Sequence, residues 1–210
     1  MSAEAVRHAV DPLVAEEFPG LRLWSLPLTT RPGASHAGLK TQLKMLSDRM
    51  TGAQAIAQRQ EPIPHAYRVF FRHVGIDPER RRTPIEQAVL DRLHHGSFRS
   101  RNLVDDALLI ALVETGVPVW ALDDDALDGE LRLRVALAED AGVPAGRLAV
   151  SDRVRALMEL FGPTVPGVGV RPSTRRLRLI AVAVGGVPEI HVEEALFGAA
   201  QTLGAAEGPA

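Results

Sequence analysis

Apolar residues recur along this chain at helical spacing in some stretches and at every second position in others. Across residues 3–17, Val6, Ala9, Val10, Leu13, Val14 and Phe18 predict an amphipathic helix, kinked or split in two at Pro12. Pro19-Gly20 is a turn signal. Leu21 to Leu28 alternates as a strand does, with Pro27 marking an edge or an end. A loop covers 31–35. Helical spacing returns over 37–59 at Leu39, Leu43, Leu46, Met50 and Ile56, breaks at Gly52 and ends at Glu61-Pro62-Ile63-Pro64. From His65 to Val74, the spacing of Tyr67, Phe70, Phe71 and Val74 predicts a helix with an aromatic face that stops at Gly75. The next helix opens at Thr83-Pro84-Ile85-Glu86. Thr83 is its N-cap, Pro84 takes the first helical position, and Glu86 completes a capping box. Val89, Leu90 and Leu93 are expected to face inward, and His94-His95-Gly96 closes the helix.

The stretch from Arg99 to Arg134 organises the rest. Val104 to Val113 is apolar on nearly every side, which predicts a buried helix. Asn102 is its expected N-cap, and Asp105 and Asp106 lie in its first turn, where the helix dipole favours carboxylates. A bend at Gly116 and Pro118 leads into Val119-Trp120-Ala121-Leu122, then Asp123-Asp124-Asp125 and an alternating strand from Leu131 to Val135. A turn over 136–144 precedes a short strand at Leu148-Ala149-Val150. Arg153 to Phe161 reads as a short helix or an irregular connection, and 162–172 as a Gly/Pro-rich loop. Arg176 to Val184 is a strong strand, and Ile190 to Leu203 a closing helix. Residues 206–210 are expected to be a disordered tail.

Composition narrows the chemistry. The chain has no cysteine, so disulfides, cysteine-ligated zinc and thiol nucleophiles are excluded. No apolar run reaches the roughly 18 residues of a membrane span. The N-terminal residues lack a charged start followed by an apolar core, so no signal peptide is expected. A net charge of −2 argues against coating nucleic acid by bulk electrostatics but leaves room for a local basic patch. These features fit a non-membrane, cytoplasmic protein with no cofactor.

Several groups carry candidate chemistry. Arg101, Asn102 and Asp105 surround the start of a buried helix, and buried polar groups need partners. They either form a structural cluster or face a ligand. The seven histidines show no metal spacing, and no metal site is expected. Asp123-Asp124-Asp125 is a solvated turn capped by Asp123, or a site for a hard cation. Trp120 is a core residue or a stacking platform. Arginines crowd the span from Arg68 to Arg101 with no lysine among them, either as a solvated face or as forks for phosphates and carboxylates.

The residues from His65 to about Val135 resemble a known family. Arg101-Asn102-Leu103-Val104-Asp105, Gly116-Val117-Pro118, Trp120-Ala121-Leu122-Asp123, Leu127 with Gly129, and Leu133-Arg134 carry the likeness. Upstream, Arg68, Gly75-Ile76-Asp77-Pro78 and Arg82-Thr83-Pro84-Ile85-Glu86 agree, and downstream Ser151-Asp152 and the strand from Arg176 agree more loosely. The chain resembles the B3/B4 domain, the editing domain of the phenylalanyl-tRNA synthetase β chain, and above all its free-standing members. The resemblance implies an α+β fold with a mixed, mostly antiparallel, barrel-like β-sheet flanked by helices. It implies one such domain over 1–205, with its core at 61–200 and a helix-strand-helix extension at 1–60. It further implies a partner, the aminoacyl end of tRNA, and hydrolysis of mischarged aminoacyl-tRNA in a pocket. Arg68, Arg101, Asn102, Asp105, Trp120 and Asp123 are the expected substrate-binding residues, with no catalytic residue assigned. Two positions depart from the synthetase domain. Trp120 stands where that domain has a histidine, and apolar residues around Ile180 to Val182 stand where it has a glutamate. The synthetase's tyrosyl specificity is therefore not carried over. A non-catalytic module that binds RNA or an amino acid is the alternative.

Overall fold

The computed structural model describes residues 4–204. Its strands are β1 (Val6–Val10), β2 (Arg22–Thr29), β3 (Val119–Asp123), β4 (Arg132–Val135), β5 (Leu148–Ser151), β6 (Ala156–Glu159) and β7 (Arg176–Ala183). Its helices are α1 (Pro12–Glu17), α2 (Ala37–Arg49), α3 (Gly52–Gln58), α4 (Pro62–His73), α5 (Pro84–His95), α6 (Leu103–Thr115) and α7 (Glu189–Gly204). The strands form one seven-stranded sheet in the order β3-β7-β2-β1-β4-β5-β6. Every neighbouring pair is antiparallel except β1 with β4. This is the expected α+β architecture, a mixed and mostly antiparallel sheet curled into a half-barrel and flanked by helices.

The sequence makes β7 the spine of this sheet. Leu179 to Ala183 is apolar on both faces, and each of these residues is fully buried. β2 pairs with β7 over its whole length, from Arg22 with Ala183 to Thr29 with Arg176. β1 pairs only with Leu23 to Ser25 of β2, so Pro27 sits beyond the end of β1, where a missing N–H costs little. α6 and α7 pack on each other, and α7 also packs on β7 and β2. One loop meets both edges of the curl. Gly169 bridges to Leu122 of β3, and Thr164 bridges to Met158 of β6. The Asp123 N–H donates to the Val168 carbonyl (2.9 Å) and the Val165 N–H to the Leu157 carbonyl (2.8 Å). The Gly/Pro-rich stretch thus covers two strand edges that would otherwise offer unpaired backbone.

Three expectations need correction. Val6–Val10 is a strand between β2 and β4, and only the second half of the expected first helix forms, from Pro12. Asp11 caps it, accepting the Leu13 N–H at 3.0 Å, and Pro12 begins it. Pairing on both sides outweighs the helical spacing upstream, and Val6 stays 47% exposed. Ala156–Glu159 is likewise a strand on the far edge, although its four residues are all helix formers. Pro62 to Pro64 open α4 instead of ending the helix before it, because a proline at the first position needs no N–H. A smaller difference concerns α5. Its capping box forms with Gly96 at its end, yet Leu93 is 39% exposed and does not face inward. The expected tail at 206–210 lies outside the described residues.

Candidate functional site

The start of α6 is built by local hydrogen bonds. The Asn102 Oδ1 accepts the Asp105 N–H at 2.9 Å, and the Asn102 Nδ2 donates to the Asp105 Oδ2 at 2.8 Å. The neighbouring carboxylate, Asp106, is only 1% exposed. It accepts the Ser35 hydroxyl (2.5 Å), the Ser100 hydroxyl (2.6 Å) and the Arg101 N–H (2.8 Å). The Leu103 N–H donates to the Gly33 carbonyl at 2.8 Å. These bonds sew the loop at 31–35 to the helix start and hold it there as a wall. Asp106→Ala leaves the buried Ser35 hydroxyl, the Ser100 hydroxyl and the Arg101 amide without their acceptor, and is expected to cost about 2–4 kcal/mol. Asp105→Ala, at an exposed carboxylate, is expected to cost about 1 kcal/mol or less. Urea midpoints of the two variants test the contrast, and equal losses would contradict it.

Across from this wall stand β3 and the loop at 162–172. Between them lies an open cleft of about 940 Å³, lined by Pro32, Gly33, Arg101, Asn102, Asp105, Trp120, Gly169, Arg171 and their neighbours. Four expected site residues, Arg101, Asn102, Asp105 and Trp120, therefore meet at one hollow. The Trp120 ring is half-buried and leans on Phe161, with centroids 5.8 Å apart and planes at 52°. The exposed Arg101 guanidinium has no acceptor among the described residues. Arg31, Arg99 and Arg175 are also exposed, and none of the three has a carboxylate partner among the described residues. Arg31 adjoins the wall residue Pro32, and the Thr30 N–H donates to the Arg175 carbonyl at 3.0 Å. Arg101 and Arg171 bring the positive charge to the cleft lining, while Asp105 supplies a negative group there.

Asp123 is placed behind the cleft and not in it, 3% exposed. Its Oδ2 accepts the Arg171 Nη2 (2.9 Å) and the Thr174 hydroxyl (2.9 Å), and its Oδ1 accepts the Asp125 N–H (3.3 Å). Burial raises the Asp123 pKa, but the bonds from Arg171 and Thr174 outweigh it, and the net shift is downward. Asp123 thus reaches the cleft through Arg171, which it orients. The other two carboxylates of the triplet are also engaged, Asp124 by Arg178 (2.9 Å) and Asp125 by Arg176. The cap expected at Asp123 forms, but the carboxylates are tied down by arginines instead of being left to solvent. Among the described residues, no group of three or more histidines and carboxylates could hold a metal ion.

Arg68 does not join the cleft. It is 7% exposed and donates to Glu86 and Glu79, on the side of α4 that faces α5. A guanidinium at this depth needs carboxylate partners, and the capping-box glutamate is one of them. Two features of the site escaped sequence reading. Asp106 was visible only as half of an acidic pair, and Arg171 sat inside a stretch rich in glycine and proline. That stretch was itself a signal. A Cβ at Gly162 would lie 3.2 Å from the Glu159 carbonyl oxygen, a tight contact that glycine avoids where the loop leaves β6.

No model of a known protein family matches this chain, and no curated protein matches it either.

Proposed function

We propose that this chain is a stand-alone aminoacyl-tRNA editing domain, which holds the aminoacyl end of tRNA in the cleft and hydrolyses the ester of a wrongly charged one. One observation carries the reading. Arg101, Asn102, Asp105 and Trp120 converge on a single open cleft that Arg171 also lines. Each group suits a part of that substrate. The Asp105 carboxylate pairs with the α-ammonium. The Trp120 face stacks on a base or an aromatic side chain, worth about 1–3 kcal/mol. Arg101, with no acceptor of its own among the described residues, holds phosphate oxygens in its planar fork. Hydrolysis then needs a water held against the carbonyl carbon. Its oxygen adds there, the ester bond to the ribose oxygen breaks, and the proton passes to that oxygen. The work of such a domain lies in the cytoplasm, with tRNA.

A second reading has an observation in its favour. Thr164 supplies the only side-chain hydroxyl on the cleft lining among the described residues, and no histidine lines it. There is thus no nucleophile paired with a base. A module that binds the aminoacyl end without cleaving it would look the same. A panel of mischarged tRNAs separates the two. The editing reading expects ester loss well above the spontaneous rate for at least one of them. It expects Arg101→Ala to lower kcat/KM about 10–100-fold, the size of one charge-assisted hydrogen bond to the substrate. Saturable binding with no ester loss for any tRNA would favour the module, and no binding at all would overturn both.

A further inference from the structure

We propose that the groove between α3 and α5 is a second ligand site, for a medium-chain aliphatic carboxylate. It shares no lining residue with the cleft and does not depend on the editing reading. Its volume is about 380 Å³, within the range of small-molecule sites. Ala55, Ile56, Val89, Leu90 and Leu93 make apolar walls, while Arg59, Arg82 and Glu86 close one end. Beneath it lies a small core of Ala55, Ile85 and Val89, separate from the main one. At the mouth, Ile56 is 69% exposed and Leu93 39%. The groove therefore presents apolar surface that a hydrocarbon chain would cover.

The polar end specifies the head group. Three guanidinium groups, Arg59, Arg68 and Arg82, share two carboxylates, Glu79 and Glu86. Both carboxylates are already occupied on each oxygen. Glu86 Oε1 accepts Arg59 Nε (2.9 Å) and Arg68, and its Oε2 accepts the Thr83 N–H (3.2 Å) and hydroxyl (3.1 Å). Glu79 Oε1 accepts Arg59 Nη2 (2.7 Å) and Arg68, and its Oε2 accepts Arg82 Nη1 (2.5 Å). Among the described residues, Arg59 Nη1 and Arg82 Nε and Nη2 donate to nothing. The cluster is one negative charge short, and its remaining donors belong to residues that line the groove. A carboxylate supplies both the charge and the planar acceptor that guanidinium forks match. An alcohol of equal length would leave the charge uncompensated, and a bare phosphate would leave the walls wet.

Titration of the full chain with decanoate, below its micelle concentration, tests this by amide chemical shifts. The expected result is saturable binding, with shifts concentrated in 52–59 and 82–93. Decanol and decyltrimethylammonium are expected to bind at least tenfold more weakly. Arg82→Gln is expected to weaken decanoate tenfold or more. Leu93→Glu alters an exposed position, spares the core, and is expected to weaken decanoate tenfold or more by setting a charge against the hydrocarbon chain. Decanol binding as tightly as decanoate would overturn the proposal. So would shifts confined to the Trp120 cleft, the absence of saturation, or a groove already covered by a second copy of the chain at the concentration used.

Discussion

Replacing Asp140 with alanine is expected to destabilise the protein by about 3–5 kcal/mol, the cost of leaving one partner of a buried ion pair alone. The Asp140 side chain is 4% exposed, and Arg134 meets it with two nitrogens, at 2.6 and 2.8 Å. The same carboxylate accepts the Leu137 N–H (2.8 Å) and the Ala156 N–H (2.7 Å). One side chain thus ties β4 to its following turn and to the first residue of β6. Urea unfolding measures the loss. An Asp140→Leu, Arg134→Met double variant is expected to recover part of it, because it removes the stranded guanidinium together with its partner. A double variant less stable than Asp140→Ala would contradict this account.

The same group gives a sign for pH. The hydrogen bonds from Arg134 hold the Asp140 carboxyl well below its ordinary value of 3.8. Bonds from Arg68 and then Arg82 bring Glu79 from 4.5 to about 2. Both folded values lie below the unfolded ones, so the folded state binds protons more weakly. Their stabilisation is complete above the unfolded values and is lost as pH falls through that range toward the folded ones. The share of stability that these two carboxylates contribute is expected to hold down to about pH 5 and to be lost below about 4.5, as urea midpoints measure. In Asp140→Asn the acid limb is expected to be shallower.

Phe161→Ala is expected to cost about 3–5 kcal/mol, as truncation of a buried phenylalanine does. Phe161 is the hub of an aromatic cluster, with ring centroids 5.7 Å from Tyr67, 5.9 Å from Phe70, 5.2 Å from Phe71 and 5.8 Å from Trp120. It holds that place at a φ of 60°, in the left-handed region. For a residue with a Cβ this costs about 1–2 kcal/mol, which the cluster outweighs. The order of variants follows. Phe161→Gly relieves the backbone and is expected to be at least as stable as Phe161→Ala, the reverse of the usual ranking. Both variants remove the support of Trp120 and are expected to weaken ligands of the cleft. A glycine variant clearly less stable than the alanine one would remove the left-handed strain from the account.

What could be read from the sequence was what short-range bonds decide. The capping box at Thr83 and Glu86, the Asn102 cap and the Gly96 and Gly116 helix ends each form within a few residues of chain. β7 was legible because burial on both faces leaves a continuous apolar run. β1 was not, because its partners lie elsewhere in the chain, and β6 was not, because its four residues are all helix formers although its partner β5 directly precedes it. Val6 pairs with Ser25, Val10 with Leu133, and Val150 with Met158. The site divides in the same way. Asn102 and Asp105 bond to each other across one turn, so their proximity followed from spacing. Arg171 owes its position to Asp123, 48 residues away, and Arg68 its burial to Glu79 and Glu86. No local pattern announces those pairings.

The cleft is the centre of the functional account, and Trp120 is its natural reporter. The chain has two tryptophans, and the other, Trp24, is buried in the sheet. Fluorescence should be followed while a hydrolysis-resistant 3′-aminoacylamino-adenosine is titrated into the protein. The account predicts a saturable change that persists in Trp24→Phe, disappears in Trp120→Phe, and shifts to higher concentration in Arg101→Ala. A titration that leaves Trp120 emission unchanged across a series of amino acids, while the protein remains folded, would contradict it.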